Sequence, residues 1–370
     1  MKIGIDARFY GTSHTGIGRY VENLVQNLGK VDKLNTYIIF GPPEIKSAIS
    51  SFPNFHHVLL TTKPYTFAEQ LVNPIIFYTA KLDLLHVPHF NAPILYLKPY
   101  ILTIHDLIKH LSTGKDTTTL TAFSYYLKHA IYKLLVLYHL KKAKHLITPS
   151  EYWKAELIKK YFLPPTKISV TYEAVSASFK KINKTSPEKL LAKFDLRKPF
   201  LVYTGNLYPH KNLPFAVTAI NEFNALHEHD LQLAIVCGRH AFLGNIPSDP
   251  LVRFAGSLTD AEIVTLYSQA VAFIQPSLIE GFGLVGLEAM SVGLPVLSST
   301  ATCLPEFYAN AALYFNPHDK ADLIQKINYL ISNPDVRKDL IDKGTLQVKK
   351  FSWSKMARLT KAIYLSCASL

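Results

Sequence analysis

The chain of 370 residues is 48% hydrophobic and carries a formal net charge of +13. That length exceeds one ordinary core, so two domains are expected, and near-average Gly and Pro contents exclude a disordered or collagen-like chain. Three cysteines, Cys237, Cys303 and Cys367, form no C-x-x-C pair, which argues against a disulfide framework or a cysteine zinc site and fits a reducing, cytoplasmic location.

The charge is uneven. Residues 1–180 hold 21 Lys and Arg against 11 Asp and Glu, and residues 181–370 hold 19 against 16, so the halves carry +10 and +3. Nucleic acid, an anionic membrane surface or a phosphorylated substrate would each suit the basic half.

The N-terminal MKIGIDARFY meets Asp6 and Arg8 before any apolar h-region forms, so it is expected as a buried strand rather than a signal peptide. Strands are then expected at Lys2–Asp6, Thr36–Phe40, His57–Leu60, Leu84–Val87, Ile101–Ile104, His145–Thr148 and Ile168–Thr171. A second series follows at Phe200–Tyr203, Gln232–Val236, Val271–Ile274, Pro295–Ser298 and Leu313–Phe315. Helical patterns separate most of them, which predicts parallel sheets covered on both faces. The longest apolar candidate, Phe123–Leu140, is interrupted by Lys128, Lys133 and His139, so no membrane-spanning helix is expected. Its Leu127, Ile131, Leu134 and Tyr138 read first as a packing face and second as a basic, membrane-facing helix. The polar, basic segment Lys180–Pro199 marks the junction between domains 1–180 and 181–353, and 354–370 reads as a terminal helix returning to the first domain.

Five segments carry candidate chemistry. HTGIGRYVENL follows the first strand and opens a helix, but Gly16-x-Gly18 lacks the third glycine of a dinucleotide fingerprint because Val21 fills that place. ILTIHDLIKH puts His105 and Asp106 at a strand's carboxyl end, where ligands of open α/β sheets bind, although a lone His is more often structural. LVYTGNLYPHKNL places Lys211 just after a strand, where an ammonium can neutralise a departing diphosphate; a surface cap is the bland alternative. In VRFAGSLTDAEIVTLY the loop Gly256–Leu258 precedes a helix capped by Thr259 or Ser257.

The fifth segment, PSLIEGFGLVGLEAMSVGLPV, is the strongest. Gly281 and Gly283 lead into a helix near Leu284, whose first amides and dipole suit a phosphate. Glu280 before the helix and Glu288 within it can each accept two hydroxyl hydrogen bonds. An anion site between two hydroxyl receptors is what a nucleoside diphosphate sugar requires. A buried Gly-rich turn with incidental glutamates is the alternative. Among the 15 histidines, His86 and His89 of HVPHF could share a metal, but no third ligand is suitably spaced; His86 reads as core and His89 as cleft.

EGFGLVGLE resembles the E-x(7)-E motif of glycosyltransferase family 4, with Val285 where the family commonly has Pro. CLPEF (Cys303–Phe307) is similar to the family's SLPE segment, and the likeness covers nearly the whole chain. The resemblance implies a GT-B fold: an α/β chain of two Rossmann-like doubly wound domains across a donor cleft. It implies a retaining transferase, with the donor mainly on the second domain and the acceptor mainly on the first.

By resemblance, Glu280 holds the transferred sugar, Glu288 the ribose, His105 the donor sugar, and the Gly16–Gly18 turn faces the diphosphate. Ser257 and Leu258 meet the base. Asn206 and Asn212 belong to the G-N-L…K-N motif with Lys211, and Gly281, Phe282, Gly283 and Leu284 line the donor. Asn206 stands where many members have Arg, with His210 a partial substitute. The HDL and GNLYPHKN segments look most like mannosyltransferase-type members, which points to GDP-mannose.

No D-x-D is present, so neither a metal nor another cofactor is expected. The expected partners are a nucleotide sugar and a glycan or lipid-linked acceptor, with peripheral contact at an anionic membrane and no nucleic acid. A GT-B epimerase or hydrolase would turn over donor without acceptor. A nicotinamide dehydrogenase would need the full glycine fingerprint, and a nucleic-acid-binding protein would leave Glu280 and Glu288 without purpose.

Overall fold

The computed structural model describes the chain except residues 12–14, 115–120, 177–178, 180–185, 239–241 and 369–370. His14, Lys115 and the first six residues of the expected junction, 180–185, therefore lie outside the described residues. The chain folds as two units. The first holds Met1–His110, Thr118–Glu173 and Ser352–Leu370; the second holds Leu111–Thr117 and Ala174–Phe351.

In the first unit the apolar runs pair in parallel as β1 (Lys2–Asp6), β2 (Thr36–Gly41), β3 (Phe55–Leu59), β4 (Leu84–Val87), β5 (Tyr100–Thr103), β6 (His145–Thr148) and β7 (Ile168–Val170). The sheet order is β3-β2-β1-β4-β5-β6-β7. The second unit contains β8 (Phe200–Thr204), β9 (Gln232–Val236), β10 (Val252–Gly256), β11 (Ala272–Gln275), β12 (Val296–Ser299) and β13 (Ala312–Phe315), also parallel. Its order is β10-β9-β8-β11-β12-β13. Every residue of β4, β5, β9 and β11 is buried, because helices cover both faces of such sheets and the strands read as continuous apolar runs.

Strand β10 escapes the sequence pattern. It is one of the two edge strands of its sheet, with Phe254 exposed, Arg253 half-buried and a register shift between Phe254 and Gly256. With Ala255 its one buried residue and Arg253 within it, it lacks the apolar run by which its neighbours are recognised.

Both strand orders follow the doubly wound plan, reversing direction between β1 and β4 and between β8 and β11. Loops leaving the carboxyl ends of those strands border the crevice where such sheets bind ligands. In the second unit these loops run from Gly205 to Asn212 and from Pro276 to Gly283, which positions the two strongest motifs side by side. Beneath them Leu201, Val217, Phe223, Ile235, Leu297 and Leu323 belong to one buried cluster that fixes the sheet against its helices.

In the first unit the helix Trp353–Ala368 packs on the helix Thr15–Val31. Tyr364 hydroxyl lies 2.6 Å from His86 Nδ1, His86 Nε2 lies 2.8 Å from Thr103 Oγ1, and Tyr20 hydroxyl lies 3.1 Å from Thr103 Oγ1. Lys361 Nζ adds an ion pair at 3.2 Å to the buried Asp32. His86 is a core residue, as its sequence context indicates. Two other expectations are corrected. His89 is buried among Phe9, Tyr65 and Phe90 rather than open to a cleft. Leu127, Ile131, Leu134 and Tyr138 of the helix Ala122–Lys142 are exposed rather than packed; the buried side of that helix carries Val136 and Leu140.

Burial pushes the His86 pKa down from 6.5 to about 3, so the folded unit holds a neutral ring. Below pH 6.5 the unfolded chain takes up a proton that the folded unit does not, and stability is expected to fall as the pH drops from 6.5 toward 3. Tyr364→Phe removes a buried hydrogen bond and should cost about 1–3 kcal/mol. Urea denaturation followed by fluorescence checks this, since both tryptophans, Trp153 and Trp353, lie in the first unit.

Candidate active site

The second unit brings Lys211 and Glu280 into direct contact. Pro209–Lys211 forms a short 3-10 turn, and Asn212, in the left-handed region at φ 58°, turns the chain into the helix Leu213–His227. The Leu278 amide donates to His210 O at 2.8 Å, which ties this turn to the β11 loop. Lys211 Nζ then donates to Glu280 Oε1 at 2.7 Å, with both side chains largely buried.

Glu280 is held on several sides. Ser277 Oγ donates to Oε1 at 2.6 Å, and Gln275 Nε2 donates to the same oxygen. Its own amide donates to Thr302 Oγ1 at 2.9 Å, and its carbonyl accepts from Thr302 Oγ1 at 3.1 Å and Cys303 Sγ at 3.2 Å. Burial alone would raise the carboxyl pKa, but the charge and hydrogen bond of Lys211, the Ser277 hydroxyl and nearby His210 bring it below 4.5. Burial and Lys211 push His210 down to about 4, so with no anion bound beside it the ring is neutral near pH 7.

Gly283 starts the helix Leu284–Ser291 at φ 88°, a conformation that favours glycine. Tyr308 hydroxyl donates to Gly283 O at 2.7 Å and lies where a Cβ on Gly283 or Gly286 would come, at 2.8 and 2.2 Å. Gly286 N already donates to Gly283 O at 3.2 Å, so it is the Leu284 and Val285 amides that precede the helix's own hydrogen bonds and, with the helix dipole, suit an anion. Phe282 is buried against Phe307 with centroids 3.9 Å apart, which leaves its main chain as its contribution to a ligand. Leu284 is half-buried, and Glu288 is buried inside the helix.

The remaining candidates divide. Asn212 Nδ2 donates to Pro317 O at 3.0 Å, and Asn206 Oδ1 accepts from the Tyr208 amide at 3.4 Å, so both amides brace loops. The helix Asp260–Tyr267 is capped by Thr259 in a reciprocal box with Glu262, so the cap accounts for Thr259 and leaves the exposed Ser257 and half-buried Leu258 without a structural task in it.

In the first unit the helix begins at Thr15, so Gly16 and Gly18 occupy its first turn rather than a turn preceding it. Gly18 is needed for packing, since its Cβ would fall 1.9 Å from Gly11 O; Gly16 is exposed with nothing within 4 Å. His105 Nδ1 lies 3.2 Å from Glu173 Oε1 and Nε2 lies 3.2 Å from Pro88 O, with the ring edge-on to Tyr20 at 4.8 Å. Asp106 accepts from the Ile108 amide at 2.8 Å and starts the short helix Ile108–Leu111. Among the described residues, no group of three His, Cys, Asp or Glu side chains is placed to hold a metal.

Two doubly wound units, each with a parallel sheet, are the two halves of a GT-B fold. The model of the group 1 glycosyl transferases matches residues 188–347, and that of Glycosyltransferase Family 4 matches residues 14–179. The chain belongs to this glycosyltransferase family. It is 26% identical to the O-antigen chain mannosyltransferase B of Escherichia coli over 95% of this chain and 96% of that one. It is also 26% identical to the O-antigen chain mannosyltransferase RfbU of Salmonella typhimurium over 73% and 71% of the two chains. In fold it is similar to sucrose-phosphate synthase from Thermosynechococcus elongatus, with a TM-score of 0.75, 18% identity and coverage of 99% and 98%. Anabaena Alr3699/HepE in complex with UDP and glucose has a TM-score of 0.72, 16% identity and coverage of 99% and 100%.

The Lys211–Glu280 pair has a thermodynamic consequence. Lys211→Met leaves a buried carboxylate with only neutral donors and should cost about 2–4 kcal/mol, whereas adding Glu280→Gln to it should recover part of that loss. The carboxylate's contribution is fully present above pH 4.5 and is lost as the pH falls through its lowered folded value. A double-mutant denaturation cycle at pH 7 and at pH 4 checks both statements, with coupling expected at pH 7 and a smaller one at pH 4.

Proposed function

We propose that the chain transfers mannose, with retention of configuration, from GDP-mannose to a glycan or lipid-linked acceptor during polysaccharide assembly. The observation that carries this reading is the Lys211–Glu280 pair at the carboxyl edge between β8 and β11, next to the helix starting at Leu284. A lysine ammonium has three donors, so Lys211 can keep Glu280 and still meet a diphosphate oxygen. The helix start supplies further donors to the same anion. Glu280 is the acceptor for hydroxyls of the transferred sugar, and Glu288 for those of the ribose. The two O-antigen mannosyltransferases support the choice of sugar and of acceptor class.

In this reading the departing diphosphate is stabilised by Lys211 and the helix start, and its oxygen helps to deprotonate the acceptor hydroxyl on the face it leaves. His105, Gly16 and the Ser257–Leu258 segment are proposed as further donor contacts. No metal is needed, because the charge on the leaving group is met by the protein's own donors. The basic first half suits an acceptor presented at an anionic leaflet.

Glu280→Gln keeps a hydrogen-bonding side chain in place and should lower turnover by roughly tenfold to a thousandfold in a folded protein. Thermal shifts against a panel of sugar nucleotides should favour GDP-mannose, by about 2.7 kcal/mol at 100 times its Kd. Transfer should survive EDTA. Wild-type turnover in folded Glu280→Gln, or transfer abolished by EDTA and restored by Mg or Mn, contradicts the mechanism. Donor turnover that needs no acceptor contradicts the transfer itself.

A further inference from the structure

The helix Ala122–Lys142 is apolar on two sides. Its inner side carries Val136 and Leu140, which are buried. On its outer side Phe123 is 80% exposed, Leu127 52%, Ile131 50% and Leu134 69%. Tyr138 continues the row at 37%. The spacing is four, four, three and four residues, so at 3.6 residues per turn the five side chains fall within an arc of about 80°. This is a continuous stripe, whereas scattered exposed apolar residues need no explanation.

The charges on the same helix are all of one sign. Lys128 falls beyond one edge of the stripe and Lys133 beyond the other, and Lys141 and Lys142 close its last turn; all four are exposed. The sequence of the helix contains no Asp or Glu. No helix among the described residues is long and apolar enough to cross a membrane.

We propose that this outer stripe docks on an anionic lipid bilayer, lying in the interface with its apolar side chains among the acyl chains and its lysines at the headgroups. The charge pattern chooses the partner. Lysine stems reach outward past an apolar stripe to phosphate, and each cation near an anionic leaflet adds attraction. A second copy of the same helix would set lysines against lysines with no carboxylate on it to pair them. The inference deepens the reading of a membrane-presented acceptor, on which the purpose of docking rests, while the contact itself is independent of which sugar is transferred.

The test is co-sedimentation of the full chain with vesicles of phosphatidylcholine alone and of equal parts phosphatidylcholine and phosphatidylglycerol. Binding is expected to the anionic vesicles and to weaken as salt rises, because exposed charges are screened over about 8 Å at physiological ionic strength. Leu127→Ser and Leu134→Ser should each weaken partitioning by about tenfold or more, and Lys128→Glu with Lys141→Glu should abolish the preference for anionic lipid. These positions lie outside the proposed donor contacts, so the variants should keep wild-type thermal shifts with the sugar nucleotide that the wild type binds. Loss of that shift in the wild type would fault the functional reading and leave vesicle binding to be judged by itself. No sedimentation with either vesicle, equal sedimentation with both, or a dimer in light scattering that Leu134→Ser dissolves would overturn the proposal.

Discussion

Placing a lysine and a glutamate 2.7 Å apart in largely buried surroundings costs desolvation on both sides, and the second unit is built so that this cost is offset. Lys211, Ser277 and Gln275 all donate to one carboxylate oxygen, while Thr302 and Cys303 hold the glutamate's main chain. The partners are 69 residues apart in sequence. They meet because the sheet order sets β8 beside β11, so the two loops that leave those strands are neighbours at the carboxyl edge. The tie from the Leu278 amide to His210 O fixes their relative height. The fold thus dictates the contact.

A similar constraint acts at the glycine-started helix. Gly283 and Gly286 leave room for Tyr308, whose hydroxyl satisfies Gly283 O. A side chain at either glycine would displace that ring and with it the helix start. In the first unit the corresponding device is Gly18, which lets the first turn of its helix approach Gly11 O, while Gly16 stays open.

Much of this can be read from residue order because it depends on local pattern. Most of the parallel strands are apolar runs, and even the partly exposed edge strands β3 and β7 keep apolar or β-branched residues, so seven strands of the first sheet and five of the second have a signature, while β10, with Arg253 within it, does not. Lys211, Glu280 and Gly283 are each legible from their place after a strand or before a helix. Their supports are not: Ser277, Gln275, Thr302 and Cys303 act through single hydrogen bonds that impose no spacing. Gly18 reads as facing a ligand because a glycine required for backbone packing and one required for ligand approach look alike in sequence. The helix Ala122–Lys142 misleads for a related reason. Both of its sides are apolar, so periodicity gives the stripe but not the side that turns toward solvent.

In the proposed reaction Lys211 is shared between Glu280 and the diphosphate of a sugar donor. Calorimetric titration of GDP into Lys211→Gln and Glu280→Gln addresses this sharing directly, since these two substitutions should act in opposite directions. Removing the lysine takes away a charge-assisted hydrogen bond and should weaken GDP by about tenfold to a hundredfold. Neutralising the glutamate releases the lysine and removes a nearby negative charge, so GDP should bind at least as tightly as to the wild type. Equal affinity in all three proteins, or a loss in Glu280→Gln as large as that in Lys211→Gln, would contradict the account.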